Sequence, residues 1–308
     1  MTYDLIIIGG SAAGASAAIY GARRKLNLLL ISEDFGGEVA RSGEVANYPG
    51  FVNIQGIDLA EEFKKHVEAN GVAPELNVRV TSMKKDGDEF VITATKNGEE
   101  ITYRAYAVIV ATGVHPRYLG VPGEEEFTGK GVTWCTTCDG PLFRNKKVVT
   151  IGGGNSALES ALMLAEIATH VTLINKNATF KGEQVLIDKA TAHDNIDIIY
   201  NAKTEKITGE LVVNGVDYID SEGSAQHIDA QGVFIHIGLI PNSGMVGEDV
   251  VKNPMKEIEV NQKCETNIEG LFAAGDVTTV PYKQIAIATG QGVIASLSAI
   301  EYLNRRGA

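Results

Sequence analysis

Two short runs of continuous apolar residues each lead directly into a glycine-rich loop and then into a stretch of small and apolar residues. The first run covers residues 4–8 and the second residues 147–151. A continuous apolar run of this length is typical of a strand buried on both faces, and the alanine-rich stretches that follow favour helix. The pattern predicts helices from the first loop to Arg24 and over residues 156–168.

These two stretches are copies of one internal repeat. The sequence "IGGSAAGASAA" at 8–18 matches "IGGGNSALESA" at 151–161 position by position. Each copy continues into another apolar strand, over 26–31 in the first and 171–174 in the second. A strand, a helix and a parallel strand joined by short loops form a βαβ unit. Two such units predict an α/β fold with two Rossmann-like dinucleotide-binding domains.

The segment between the copies has the alternation of antiparallel strands. Strands are expected over 90–95 and 101–105, joined by the turn residues 96–98, and they lead into "YAVIVATG", which ends at Gly113. The proline- and glycine-containing stretch at 114–123 is typical of a linker. The chain is therefore expected to leave its first domain here.

A comparable crossing occurs at "GLIPN", residues 238–242. It is followed by "GLFAAGDV" at 270–277, a short apolar strand, and by an expected helix over 282–303. We therefore predict that the second domain is inserted into the first: an FAD-binding domain of residues 1–114 and 241–308, and an NAD(P)H-binding domain of residues 115–240.

The composition is that of an ordinary globular protein: 308 residues, 44% hydrophobic and 21% charged. The formal net charge of −12 without a basic stripe argues against nucleic acid as a partner, and weakly against an anionic membrane surface. The longest apolar runs are far below the ~20 residues that span a bilayer. The first residues lack the basic flank of a signal peptide, so we expect a cytoplasmic protein without a transmembrane helix.

The first loop approximates the GxGxxG pattern. Glycines there let the backbone approach a pyrophosphate, which sits on the positive end of the following helix. Gly9 and Gly14 occupy the outer positions and Ser11 replaces the middle glycine. An acid that binds the ribose is expected about 20 residues further on, and Glu33 is the nearest candidate.

The second loop is a fuller match to GxGxxA, through Gly152, Gly154, Asn155 and Ala157. An acid at the end of the next strand indicates NADH and an arginine indicates NADPH. The chain has Asn175-Lys176-Asn177 there, so Lys176 favours NADPH while the missing arginines favour NADH. The choice between the two donors stays open.

The chain has three cysteines, and two of them form a CxxC motif at Cys135 and Cys138. So few cysteines argue against a secreted disulfide framework, and a lone CxxC indicates redox chemistry or metal. A structural zinc needs four ligands, and no histidine pair accompanies the motif, so we expect no metal. An inert buried pair is the plainer alternative. If Cys135 opens a helical turn, both thiols share a face and can form a disulfide that exchanges electrons.

Two neighbouring features have competing interpretations. Asp139 follows the pair directly, and it either shuttles a proton for thiol exchange or simply favours the helix dipole. The third cysteine, Cys264, lies in a polar run and is expected to be incidental.

Together these features resemble low-molecular-weight thioredoxin reductase over essentially the whole chain. The stretches that carry the resemblance are "GGEVARSGEVANYPGF" at 36–51, "IVATG" at 109–113, "KGVTWCTTCDGPLF" at 130–143 and "FAAGDVTTVPYKQIAIATGQG" at 272–292. The second half is also similar to the C-terminal catalytic part of the alkyl hydroperoxide reductase flavoprotein subunit.

The resemblance implies a homodimeric flavoenzyme that moves electrons from NADPH or NADH through FAD to Cys135–Cys138 and on to thioredoxin or a thioredoxin-like or glutaredoxin-like protein. It implies Cys138 next to the flavin, Cys135 as the thiol that attacks the partner, and Asp139 as the acid. The implied cofactor-binding residues are Gly9, Ser11, Gly14, Glu33, Gly37, Asn47, Gly113, Gly275, Asp276, Gln284 and Ile285 for FAD, and Gly152, Gly154, Asn155, Ala157 and Lys176 for NAD(P)H. It also implies that the inner domain rotates on linkers near 113–116 and 238–241.

Three positions depart from the family pattern. Ser11 replaces a loop glycine, Glu38 stands where glutamine is usual, and residues 175–177 replace the basic cluster that holds NADPH. Two other functions therefore remain under consideration within enzymes: an NADH-dependent reductase of a peroxiredoxin system and an NADH oxidase. A nucleotide-binding redox sensor that does not turn over is the alternative of another class.

Overall fold

The computed structural model describes residues 2–42 and 44–307, and these divide into two compact units. Unit 1 consists of residues 2–42, 46–115 and 240–307, and unit 2 of residues 44–45 and 116–239. Met1, Gly43 and Ala308, which fall within the predicted ranges, lie outside the described residues. The nucleotide assigned to each unit remains a prediction.

The strands are β1 Thr2–Gly10, β2 Leu28–Phe35, β3 Glu44–Val45, β4 Ile54–Gln55, β5 Val78–Asp86, β6 Glu89–Lys96, β7 Glu99–Val110, β8 Val114–Pro116, β9 Val132–Thr133, β10 Lys147–Ile151, β11 His170–Ile174, β12 Ile196–Ile199, β13 Lys203–Gly209, β14 Val213–Ile219, β15 Ala225–Asp229, β16 Gly232–Ile235, β17 Leu239–Pro241 and β18 Leu271–Ala273. The helices are α1 Ala12–Arg23, α2 Gly37–Arg41, α3 Gly56–Ala69, α4 Thr136–Asp139, α5 Asn155–Ala165, α6 Gln184–Thr191 and α7 Ile285–Arg306, with a 3-10 turn at Gly140–Phe143.

Unit 1 is built on a mixed sheet of order β2-β1-β7-β6-β5, in which β18 also pairs with β7. β1 runs parallel to β2 and β7, and β18 runs parallel to the end of β7. β5 and β6 extend the sheet as an antiparallel pair. The carboxyl ends of four parallel strands therefore meet at one edge, which is where α/β sheets bind ligands.

Helices α1 and α7 pack together in unit 1 because small residues let their backbones approach. A Cβ added at Gly292 would lie 2.1 Å from the Ala13 carbonyl oxygen. One turn along, the Ser296 hydroxyl donates to the Ala17 carbonyl at 2.9 Å. The crossing fixes the start of α1 against α7.

Helix α7 is long and apolar enough to cross a membrane by length and composition, with a mean hydropathy of 1.2 in its best window. The core helix of a soluble protein passes the same test, and 44% of that window is buried inside the protein. We interpret α7 as a core helix because of its packing on α1.

Unit 2 is built on an all-parallel sheet of order β12-β11-β10-β16-β9. Its core includes Val148, Leu158, Leu173 and Phe234, all fully or almost fully buried. The antiparallel strands β13, β14 and β15 form a separate small sheet. The parallel sheets with crossover helices in both units confirm the predicted α/β fold.

Two predicted elements begin later than expected, each because a turn precedes it. Strand β2 starts at Leu28 because Lys25 has a φ of 57° and the Asn27 amide donates to Asp4 Oδ2. Helix α7 starts at Ile285 because Lys283 folds back, its Nζ donating to the Thr278 carbonyl at 2.6 Å. Local hydrogen bonds override the apolar pattern at both places.

The stretch predicted as a linker contains ordered structure. After β8, the Glu124 carboxylate accepts the amides of Leu119 and Gly120 at 2.8 and 2.7 Å. Glu124 is buried, so this turn is part of unit 2.

Candidate active site

The first glycine-rich loop lies at the carboxyl edge of the unit 1 sheet, between β1 and α1. Gly9 has a φ of +115°, and a Cβ there would lie 2.3 Å from the Ala111 carbonyl oxygen. A Cβ at Gly14 would lie 1.8 Å from the Gly9 carbonyl oxygen. Both glycines are therefore required by the protein's own backbone, apart from any ligand.

Ser11, which replaces the middle glycine, is directed away from this crowding. It is the N-cap residue of α1, and its hydroxyl donates to the Gly36 carbonyl at 2.6 Å. A Cβ at Gly37 would lie 3.6 Å from the Ser11 Cβ. The serine thus joins the loop to the start of α2, and its side chain does not fold back over α1.

Glu33, the predicted ribose acid, lies in β2. Its carboxylate is 3.5 Å from Arg79 Nε, and both side chains are well exposed. The neighbouring Ser32 hydroxyl accepts the Gly10 amide at 2.9 Å, a contact that the sequence analysis missed. The loop is therefore braced by β2, and the ribose role of Glu33 remains a prediction.

Asp276 has a buried oxygen without a hydrogen-bond partner among the described residues. It follows β18, and the atom is Oδ1. Burial raises the pKa of this carboxyl to about 6, with the Glu38 carboxylate raising it and the Lys283 ammonium lowering it. A buried acceptor is normally paired, so this atom is suited to accept a hydroxyl from a bound molecule.

The residue before Asp276 is held by α7. The Gly275 amide donates to Gln291 Oε1 at 2.8 Å. Gln291 was also missed, although it lies seven residues after Gln284 and so on the same helix face. This contact fixes the turn after β18 against α7.

The remaining predicted flavin residues of unit 1 lie on loops and helix ends. Gln284 is the N-cap of α7, whose first residue is Ile285, and its Oε1 accepts from Asn47 Nδ2 at 3.3 Å. Gly113, with a φ of 65°, follows β7, and its carbonyl accepts the Asn242 amide at 3.0 Å. The structure thus joins Asn47 to Gln284 directly.

Glu38, the departure from the family pattern, lies in the first turn of α2. Burial raises the pKa of its carboxyl, and Asp34 adds to that rise, while Arg41 and His115 lower it. The Glu38 carboxylate in turn raises the pKa of Asp276. Two carboxyls with raised pKa values, each raised mainly by burial, therefore lie in the same part of unit 1.

The second glycine-rich loop lies at the carboxyl edge of the unit 2 sheet, between β10 and α5. A Cβ at Gly152 would lie 2.3 Å from the His236 carbonyl oxygen and 2.7 Å from the Ala157 Cβ. Around Gly154, by contrast, no atom lies within 4 Å of an added Cβ. Gly154 thus leaves open space at the start of α5, where a phosphate would approach.

Asn155, the first residue of α5, is tied to a neighbouring acid. Its Nδ2 donates to Glu183 Oε1 at 3.2 Å, and its Oδ1 accepts the Glu183 amide at 2.7 Å. Glu183 was missed because it is 28 residues away in sequence. The pair orders the loop before α6 against the start of α5.

The segment after β11 uses one of its polar side chains for its own fold. Asn175 is fully buried, its Nδ2 donates to the Thr179 carbonyl at 3.0 Å, and its Oδ1 accepts the Asn177 amide at 3.1 Å. Lys176 is exposed. Of residues 175–177, Lys176 is therefore the side chain best placed to meet a ligand from solution.

Cys135 and Cys138 form a disulfide, with their Cα atoms 5.3 Å apart. Cys135 is the N-cap of α4, and its Sγ accepts the Cys138 amide at 3.2 Å. The predicted arrangement, in which both sulfurs lie on one turn of helix, is confirmed. Because β9 is parallel to β16 and β16 to β10, the disulfide lies at the same sheet edge as the second glycine loop.

Asp139 is linked to the disulfide turn through Thr133. The Thr133 hydroxyl donates to Asp139 Oδ2, and Thr133 Oγ1 accepts the Cys135 amide at 3.2 Å. Burial raises the pKa of the Asp139 carboxyl, and the Thr133 hydrogen bond lowers it. A carboxyl whose pKa is raised in this way is suited to exchange a proton beside a thiol.

The third cysteine, Cys264, is buried, and burial raises the pKa of its thiol to about 11. Its Sγ donates to the Gln291 carbonyl at 3.6 Å. Within residues 2–42 and 44–307, no group of three or more histidine, cysteine or acidic side chains has the arrangement of a metal site.

Comparison with known proteins gives one family. Residues 3–292 match the family described as pyridine nucleotide-disulphide oxidoreductase. The structure is similar to that of thioredoxin reductase from Streptococcus pyogenes MGAS5005, with a TM-score of 0.92, 33% identity and 99% of each chain covered.

Two curated relatives are similar in sequence. In Escherichia coli K12, the flavoprotein of alkyl hydroperoxide reductase is 43% identical over 98% of this chain and 58% of its own length. NADH dehydrogenase from Bacillus subtilis 168 is 40% identical over 98% of this chain and 59% of its own length. The chain thus spans about three fifths of these relatives. The expected resemblance to thioredoxin reductase and to the alkyl hydroperoxide reductase flavoprotein is confirmed.

Proposed function

Because this chain belongs to the pyridine nucleotide-disulphide oxidoreductase family, we propose that it is a flavin-dependent disulfide reductase acting on thioredoxin or a thioredoxin-like protein. One observation carries the proposal: the Cys135–Cys138 disulfide lies at the same sheet edge of unit 2 as the open loop at Gly154. A redox disulfide beside a nucleotide loop is the minimum that such a reaction requires.

The residues of unit 1 fit FAD. Gly9 and Gly14 bring backbone to the N-terminus of α1, which suits a pyrophosphate, and Asp276 Oδ1 is an unpartnered buried acceptor that suits a ribityl hydroxyl. When bound, FAD supplies a two-electron carrier between a nicotinamide and a disulfide. Gln284 and Asn47, already joined to each other, are proposed to border its ring.

The unit 2 residues divide the work at the disulfide. The Cys138 amide points at Cys135 Sγ, and an amide donor stabilises a thiolate on that sulfur once the disulfide is reduced. We therefore assign Cys135 as the thiolate that attacks the partner's disulfide, and Cys138 as the thiol that resolves the mixed disulfide. Asp139 holds or releases the proton that this exchange requires.

Reduction of a thioredoxin-like protein by the FAD-loaded enzyme tests the function. NADH and NADPH are supplied side by side, and the partner's free thiols are counted. We expect catalytic turnover in the wild type and a loss of at least about 1,000-fold in Cys138→Ser, while flavin reduction by the nucleotide persists. Flavin bleaching without reduction of any thioredoxin-like protein contradicts the proposal, and a single turnover without recycling indicates a sensor.

A second candidate function rests on the curated relatives. Their names point to a reductase of a peroxiredoxin system or to direct oxidation of NADH. Oxygen consumption that is undiminished in Cys138→Ser would identify an oxidase, because that reaction bypasses the disulfide. Faster reduction of a peroxiredoxin than of a thioredoxin would identify the peroxiredoxin system.

A further inference from the structure

Thr136, the residue directly after Cys135, is buried and hydrogen-bonded on two sides. Only 6% of it is exposed. Its Oγ1 lies 2.6 Å from Ser160 Oγ and 2.9 Å from His236 Nε2. The disulfide turn therefore has a buried polar attachment that the proposed electron transfer does not use.

The two partners of Thr136 belong to the nucleotide-binding part of unit 2. Ser160 is a buried residue of α5, and His236 directly follows β16. The His236 carbonyl oxygen is the atom that a Cβ at Gly152 would meet at 2.3 Å. The Thr136 hydroxyl thus joins α4 both to the helix and to the strand end that frame the second glycine loop.

This attachment matters because α4 has only four residues. A helix of that length is unstable in water without tertiary contacts. On one side it is held by the Thr133–Asp139 hydrogen bond, and on the other by Thr136. Removal of either support is expected to loosen the turn that keeps the two sulfurs adjacent.

The imidazole of His236 is suited to a permanent hydrogen bond. Burial lowers its pKa to about 4, so the ring is neutral at pH 7. In a neutral ring Nε2 either donates to Thr136 or accepts from it, and the two hydroxyls can complete the chain in both cases. The ring contacts Thr136 and reaches the disulfide only through it.

We propose that His236 is a positioning residue of the disulfide centre: by holding Thr136 it keeps α4 in the conformation in which Cys135 and Cys138 close their disulfide. The inference rests on the redox role of this pair proposed above. Loss of the imidazole leaves the Thr136 hydroxyl with one partner, and the two thiols of the reduced form then meet less often. The disulfide becomes easier to reduce.

The test measures the thiol–disulfide equilibrium of the full FAD-loaded protein, without any protein partner. The protein is equilibrated anaerobically in dithiothreitol buffers. Dithiothreitol loses two electrons and two protons as its ring disulfide forms, and Cys135 and Cys138 gain them as two thiols. The thiols are then trapped by alkylation and counted by mass spectrometry, which separates them from Cys264.

We expect His236→Leu and Thr136→Val each to lower the equilibrium constant for disulfide closure about tenfold, which corresponds to about 30 mV. His236→Gln and Thr136→Ser keep a hydrogen-bonding group and are expected to stay within about threefold of wild type. His170→Gln is the matched control, since His170 lies at the opposite end of a unit 2 strand and pairs with Asp197 at 3.0 Å. It is expected to leave the equilibrium unchanged.

Equilibrium constants within about twofold of wild type in both His236→Leu and Thr136→Val would overturn the inference. An equal shift in His170→Gln would also overturn it, because the effect would then be general. If His236→Leu does not fold, Thr136→Val decides, since valine matches threonine in shape. A protein that reduces no thioredoxin-like partner but shows the expected shifts refutes the proposed function and leaves the positioning role standing.

Discussion

The two glycine-rich loops come from one sequence repeat, yet the structure gives them different surroundings. In the unit 1 loop, a Cβ at Gly9 or Gly14 would collide with backbone, and Ser11 is engaged with Gly36. In the unit 2 loop, Gly154 faces open space. The first loop is closed by the protein around it, whereas the second is open at the helix start.

The difference matches two kinds of ligand. A cradle lined by committed backbone and one unpartnered acceptor, Asp276 Oδ1, suits a cofactor that stays bound. An open loop beside an exposed Lys176 suits a nucleotide that enters and leaves in each cycle. Similar sequences can therefore serve a resident and an exchanging dinucleotide, because the surrounding elements decide how the loop is closed.

The largest effect is expected from adding one methyl group to each loop. Gly14→Ala should destabilise unit 1 by at least about 3 kcal/mol and yield protein without FAD, because its Cβ would lie 1.8 Å from a carbonyl oxygen. Gly154→Ala should change the unfolding free energy by less than about 1 kcal/mol and raise the KM for the nucleotide about tenfold. Denaturant unfolding, flavin absorbance and steady-state kinetics measure these changes.

Equal destabilisation by the two alanines would contradict the contrast between a closed and an open loop. Gly290→Ala is a control on stability in unit 1, since nothing lies within 4 Å of an added Cβ there.

The next effect concerns pH and the buried acid of unit 1. If ionised Asp276 accepts a hydroxyl from FAD, binding favours the carboxylate, so the affinity for FAD should rise about tenfold as the pH rises through 6. Titration of FAD-free protein with FAD between about pH 5 and pH 8 measures this. Asp276→Asn should bind FAD more weakly at the alkaline end of that range and lose the pH dependence.

The same carboxyl affects stability with the opposite sign. Its folded-state pKa of about 6 lies above the usual 3.8, because burial penalises the charge. Between those values the folded protein keeps a proton that the unfolded chain has lost, so the unfolding free energy of FAD-free protein falls as the pH rises. Asp276→Asn should therefore be more stable than wild type at about pH 8 by about 2 kcal/mol when FAD is absent. A variant that is less stable there would refute the account.

The smallest effect is expected at the open loop's ribose end. Lys176→Ala should raise the KM for NADPH about fivefold and that for NADH less than about twofold, because only NADPH carries the phosphate that a lysine would pair with. Anaerobic flavin reduction with both donors measures the change. Lys189→Ala, at an exposed position of α6, is the surface control. Equal changes for both donors would remove Lys176 from donor selection.

Sequence reasoning located the loops and the disulfide because each has a local signature. Continuous apolar runs mark β1 and β10, glycines mark the turns after them, and CxxC spacing places two sulfurs on one helical turn. It did not find Ser32, Gln291 or Glu183, which contact the loops from elements distant in sequence. It also treated residues 114–123 as a linker, although Glu124 orders the turn there.

The sequence by itself determined the repeated βαβ plan, the family resemblance and the identity of the reactive pair, since these depend on patterns within a few tens of residues. Only the tertiary structure decided that Asp276 holds an unpartnered buried oxygen and that Thr136 is joined to His236, 100 residues away. Burial and hydrogen bonding between distant elements depend on how strands pair and helices pack. They therefore set the pKa values and the support of the disulfide, which no local pattern encodes.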